Sequence, residues 1–186
     1  MHRNIAISEA AEDCLLFIYR MNERAEIPTT SALSQQLGVT DSTVTAMLQR
    51  LSGLQLINYQ SRKGVSLTES GRYLALQLAR RHRLVETYLW VHLGYQLSEL
   101  HAEADRLEHA VSEKFIEEID RQLGHPEVDP HGEPIPDAKG GIVQREQHSL
   151  MKTAAGQRLR LSRFLDTRPE ALSYLESLTL FVGARL

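Results

Sequence analysis

Residues 9–23 place Ala11, Leu15, Ile18 and Met21 at the three-to-four spacing that gives a helix one buried face, and Ser8 stands where an N-cap belongs. A first helix is expected there. After Ile27-Pro28, Thr29 and Thr30 can cap a short helix, SALSQQL, that stops at Gly38. Thr40 or Asp41 can cap the next, STVTAMLQRLSGL. That phasing turns Leu33, Leu37, Val44, Met47, Leu48 and Leu51 inward and leaves Asp41, Ser42, Thr43, Thr45, Ala46, Gln49 and Arg50 outward. Two short helices joined by LGVT make a helix-turn-helix. In LQLINYQSRKGVSLTESG two apolar, partly β-branched runs flank Ser61-Arg62-Lys63-Gly64, which predicts a β-hairpin with a basic tip.

Thr68-Glu69 then opens a long helix, SGRYLALQLARRHRLVETYLWVHL, with Leu74, Leu78, Leu84, Val85, Tyr88 and Leu89 as its buried stripe. From Ser98 the chain is helical again. Leu100, Ala104, Leu107, Val111, Phe115, Ile116, Ile119 and Leu123 share one side, and Ser112-Glu113 marks a break between two helices. HPEVDPHGEPIPDAKGG holds four of the six prolines and three of the eleven glycines, and is expected to be a loop or linker. The tail predicts a strand at 157–163 and a short helix at 169–177.

Charge divides the chain more sharply than its total of -3 suggests. Residues 1–91 carry 10 Lys/Arg against 8 Asp/Glu, residues 92–137 carry 3 against 12, and residues 138–186 carry 8 against 4. A basic first part suits phosphate contact. The order helix, helix-turn-helix, basic hairpin, helix implies DNA binding through a winged helix, with Ser42, Thr43, Thr45, Ala46 and Arg50 toward the groove and Arg62 and Lys63 toward phosphates. Neither a secretory signal nor a membrane-length apolar run is present, so a cytoplasmic protein without membrane partners is expected. The single cysteine, Cys14, excludes a thiol-only metal site within one chain.

The acidic middle carries a second chemistry. His82 and Glu86, four apart, share a helix face, while His101, Asp105, Glu108 and His109 fall at i, i+4, i+7 and i+8 of the next helix. Asp13 on the first helix can join Asp105, Glu108 and His109 if the helices cross. Taken singly, each is an ordinary polar side chain. Interleaved with apolar positions such as Leu107 and Val111, they are costly to bury unpaired, and a divalent first-row metal satisfies them. A metallohydrolase and a winged-helix regulator with a non-metal effector are the alternatives, but neither a nucleophile motif nor a phosphate loop supports an enzyme.

ARRHRLVETYL, LHAEADRLEHAVSE and HGEPIP together resemble the diphtheria toxin repressor family of iron- and manganese-dependent regulators. The resemblance implies a mainly α fold. A winged helix-turn-helix would span residues 1–71, a helical dimerisation and metal-binding domain 72–137, and a linker with a partial SH3-like β tail 138–186. It implies one metal site at His82, Glu86 and His101 and another at Asp13, Asp105, Glu108 and His109, with Glu170 near a third-domain ligand position. The implied protein is a homodimeric repressor that binds an inverted-repeat DNA operator when Mn2+ or Fe2+ is present. Iron-type members have methionine and cysteine where this chain has Asp13 and Asp105; the harder oxygens here favour manganese. Manganese-type members with a second acid on the first helix have it where this chain has Leu16.

Overall fold

The computed structural model describes residues 7–60, 64–143 and 145–186, in two compact units that meet at Ala79–Arg80. In the first unit, α1 (Glu9–Glu23), α2 (Thr30–Leu37) and α3 (Asp41–Gly53) precede an antiparallel hairpin of β1 (Ile57–Gln60) and β2 (Gly64–Leu67). The Thr29 hydroxyl accepts from Ala32 N at 3.2 Å and the Thr40 hydroxyl from Thr43 N at 3.2 Å, so each of the paired helices starts on a side-chain cap. Leu15, Ile18, Leu33, Val44, Leu48, Leu51 and Ile57 are buried. Helix α2 packs on α1 and α3, and β2 touches α1. The expected winged helix-turn-helix is therefore present. Its basic tip, with Arg62 and Lys63, lies outside the described residues.

Helix α4 (Glu69–Tyr88) starts where the Thr68 hydroxyl accepts from Gly71 N at 3.0 Å, and its C-terminus widens into a π-helical turn over Leu89–Leu93. Its buried surface is far broader than the stripe expected from sequence. Arg80, His82, Arg83, Glu86 and Thr87 are buried beside Leu84 and Val85.

The second unit surrounds that polar stretch with α5 (Leu97–Leu107), α6 (Glu113–Gln122) and α7 (Pro169–Ser177). Leu84, Leu100, Ile116, Ile135, Phe164 and Leu172 form its core. Four sequence expectations change here. Helix α5 ends at Leu107, so Glu108 is its C-cap and His109 lies in the following turn, not on a continuous helix. Phe115 is 46% exposed, because α6 begins afresh at Ser112, whose hydroxyl accepts from Phe115 N at 3.3 Å. The 125–141 stretch is no loose linker: Asp129, Pro130, His131, Gly132 and Ile135 are buried in a turn closed by a bridge between Val128 and Pro134. The tail helix falls at the predicted residues. The strand expected at 157–163 shortens to a ladder in which Leu159 and Leu161 pair with Leu186 and Ala184.

Two glycines mark where backbone meets backbone. A Cβ at Gly71 would sit 1.7 Å from the Leu56 carbonyl oxygen, and one at Gly132, where φ is +86°, would sit 2.1 Å from that of Ser162. Gly71→Ala should cost about 1–3 kcal/mol, as overpacking of a closed contact does, and thermal unfolding would show it. A Tm unchanged from the parent would contradict this close contact.

Candidate metal centre

Most of the second unit's buried ionisable side chains lie on α4, at the end of α5 and in the 129–133 turn. His82, 1% exposed, has Nδ1 2.7 Å from Glu108 Oε2 and 3.4 Å from Asp105 Oδ1. Its Nε2 lies 3.0 Å from Glu86 Oε1 and 3.0 Å from His101 Nδ1. The helical i, i+4 step brings His82 and Glu86 together, and α5 delivers His101 and Asp105 one turn apart. His109 contributes Nε2 3.6 Å from Glu108 Oε1.

A neutral imidazole carries one N–H and cannot donate to Glu86 and Glu108 at once. The second carboxylate then needs a second proton on the ring, a proton of its own, a further donor such as His101 at Glu86, or a cation. Glu86 and His101 from one expected group, and Asp105 and Glu108 from the other, thus converge on opposite nitrogens of one ring, His82. Asp13 lies on α1 of the first unit, beside buried Cys14. Burial, helped by the Asp13 charge, pushes the Cys14 thiol up to about 12, so it remains a thiol at neutral pH.

A third group was not identified from the sequence. Glu86, Asp129 and His131 are all buried and offer ligand atoms within 4.8 Å of one another. His131 Nδ1 lies 3.6 Å from Glu86 Oε2, and its Nε2 lies 3.3 Å from the Leu97 carbonyl oxygen. The signal was the D-P-H-G-E run itself, but its proline and glycine spoke for a loop and no helical spacing tied it to Glu86. Glu170, exposed on the first turn of α7, belongs to none of these groups.

The electrostatics follow from burial and crowding. For Glu86, burial pushes the carboxyl upward, but the His82 charge and hydrogen bonds from His101, His131 and His82 outweigh it and hold the group well below its usual value. Asp129 is raised to about 7 by burial, then by the Glu86 charge. His131 is raised to about 9: burial favours the neutral ring, but its bond to Glu86 and the charges of Glu86 and Asp129 prevail.

In the first unit, Ser42, Thr43, Ala46 and Arg50 are exposed on α3 and Thr45 is half-buried. The hydroxyls of Ser42 and Thr43 lie 2.8 and 2.9 Å from that of Thr40, and the Thr45 hydroxyl donates to the Asp41 carbonyl at 2.8 Å. The face is small, polar and open, as groove contact requires.

Two adjacent family models cover residues 6–65, "Iron dependent repressor, N-terminal DNA binding domain", and residues 68–137, "Iron dependent repressor, metal binding and dimerisation domain". A solved structure described as a manganese-dependent transcriptional repressor in complex with manganese is 37% identical, covers 94% of this chain and 81% of its own, and superposes with a TM-score of 0.86. The chain belongs to the iron-dependent repressor family. The manganese regulator SloR is 33% identical, with a TM-score of 0.77 over 96% of this chain and 83% of its own. Among curated relatives, the iron-dependent repressor IdeR of Mycobacterium bovis is 33% identical over 136 residues, 73% of this chain and 57% of that protein. The chain thus spans little more than half the length of the first curated relatives it matches. The diphtheria toxin repressor of Corynebacterium efficiens is 28% identical over 188 residues, covering 96% of this chain and 82% of its own. Members of this family are repressors, not enzymes.

The raised values at Asp129 and His131 have a definite sign. Both folded values lie above the unfolded ones, so each group's contribution to stability is complete below its unfolded value and is lost as pH rises through the folded value. Metal-free protein in chelator should therefore lose stability as pH climbs through about 7 and on to about 9. Glu86→Gln should bring the His131 imidazole midpoint, followed by NMR, down toward its ordinary value; a midpoint already near 6.5 in the parent would contradict the geometry.

Proposed function

We propose that the protein is a homodimeric, metal-dependent DNA-binding repressor of metal-homeostasis genes, activated by Mn2+ or Fe2+. The observation that carries this reading is the crowding of buried imidazoles and carboxylates around His82 and Glu86. Glu86, Glu108 and Asp129 are carboxyl groups withdrawn from water, and grouping them is costly without a compensating cation. The donor set is imidazole and hard oxygen throughout, which fits a divalent first-row ion and favours Mn2+ over softer partners. Such an ion supplies positive charge that joins these carboxylates.

In this reading Glu86, Asp129 and His131 hold one ion with support from His101. Asp105, Glu108 and His109 hold another, and Asp13 completes it from α1. His82 stands between the two sets and orients Glu86 and Glu108. Asp13 is the ligand that makes the DNA-binding unit sensitive to the ion. Binding can act only by being tighter in one arrangement of the chain than in another. The α3 faces of two protomers then read an inverted repeat, with half-sites about 34–36 Å apart. We place the dimer face on the α5–α6 side, a reading that the half-exposed Phe115 supports. Among the described residues no helix is long and apolar enough to cross a membrane, and we assign the protein to the cytoplasm with its DNA.

The decisive experiment titrates metal-free protein with Mn2+, Fe2+, Co2+ and Zn2+ while following binding to a duplex selected from a random pool. Asp13→Ala should abolish metal-activated binding and leave the dimer intact, whereas a response like the parent's would refute the coupling. Thr43→Ala or Arg50→Ala should weaken duplex binding without changing metal affinity. Removing Arg62 and Lys63 should lower affinity for all duplexes and flatten its salt dependence. Phe115→Glu should yield a folded monomer in sedimentation; an unchanged dimer would place the interface elsewhere.

A further inference from the structure

Asp129 has one carboxylate oxygen committed to its own turn. Oδ1 accepts from the backbone N–H of His131 and of Glu133, each at 2.9 Å, which leaves Oδ2 to meet a positive charge. A cation already stands nearby. Arg83, 3% exposed on α4, has Nε 4.0 Å from that Oδ2. A guanidinium does not lose its proton at any physiological pH, so an Arg83 free to close this gap would compete permanently with a metal ion for Asp129.

Glu133 intercepts it. Its Oε2 accepts from Arg83 Nη2 at 2.5 Å, much closer than Asp129, and Arg83 Nη1 donates to the Pro134 carbonyl at 2.6 Å, so the guanidinium is anchored on residues 133–134. The other oxygen, Oε1, accepts from Arg163 Nη2 at 2.6 Å. That second bond fixes the carboxylate from a segment thirty residues downstream, and the Gly132 contact with Ser162 holds the same segment against the turn. The side chain of Glu133 is itself 14% exposed, well within the low-dielectric region where pairing of charges is strongest.

We propose that Glu133 is a positioning residue for the buried cation site: by drawing the charge of Arg83 onto its own carboxylate, it keeps Asp129 available to a divalent ion. The proposal rests on the reading that Glu86, Asp129 and His131 hold such an ion. It assigns Glu133 no direct contact with the metal.

Calorimetric titration of the full chain with Mn2+ alone tests it, using Glu133→Gln, Arg83→Met, the double variant and Asp129→Asn. Glu133→Gln should weaken Mn2+ binding at this site by about 10- to 100-fold, the range found when the partners of metal ligands are removed. The double variant should bind as Arg83→Met does, because without the guanidinium there is no competing charge to hold away. Arg83→Met alone should bind at least as tightly as the parent, which keeps the test decisive even if Glu133→Gln folds poorly. The same loss from Glu133→Gln in both backgrounds, or weaker binding by Arg83→Met, would overturn the proposal. Asp129→Asn separates the two levels: if it leaves Mn2+ stoichiometry and affinity at parent values, the site reading fails and takes the proposal with it. If it removes one equivalent while Glu133→Gln changes nothing, the proposal alone falls.

Discussion

A histidine with almost no exposed surface, gripped by acidic groups at both ring nitrogens, is the constraint around which the second unit is arranged. His82 cannot satisfy Glu86 and Glu108 in its neutral form, and neither carboxylate has water to turn to. The fold answers by gathering polar partners instead of apolar ones along that side of α4. His101 comes from α5, Asp105 from one turn further on, and His131 from the buried turn that follows Asp129. The opposite contribution of α4 is ordinary packing, in which Leu84, Val85 and Leu89 join Leu100, Ile116 and Leu172. One helix thus serves both a core and an electrostatic centre, which is why its burial extends nearly all the way round.

The first unit was legible in the sequence because its rules are local. Caps at Thr29 and Thr40, the stop at Gly38 and the three-to-four apolar spacing all act within a few residues, and α1, α2 and α3 fall where they direct. His82 and Glu86 were legible for the same reason: both ride one helix, and the i, i+4 step is visible without knowing the fold. Periodicity also put His101 and Asp105 on one face of the next helix, but it was the family resemblance that grouped His101 with His82 and Glu86, and the fold that brought Asp105 to His82.

Long-range contacts were not visible in the same way. Asp129 and His131 sit in a turn whose neighbours Ile135 and Phe164 belong to the core, so a proline-rich run that reads as a linker is buried with His131 beside Glu86. His109 was placed on a helix because periodicity continues past Leu107, whereas the backbone turns at Glu108 before α6 restarts at Ser112. Phe115 carries the apolar signal of a core residue, yet its own helix turns it outward. Family resemblance supplied the ligand groups at His82 and at Glu108 but gave no role to the 129–133 turn.

That turn packs three duties into five residues: a metal-type carboxylate and imidazole, a counter-charge for Arg83, and a seat for the segment bearing Arg163. Gly132 leaves no room between the turn and Ser162 for any side chain. The positions are consequently bound together as heritable units. A lineage that loses the acid at 133 leaves the charge of Arg83 to Asp129 and takes the carboxylate from Arg163, and a lineage that loses one arginine leaves Glu133 held by the other alone. Positions 83, 133 and 163 are therefore expected to drift as a set, while the surrounding loop is free to vary only in the residues that touch none of them.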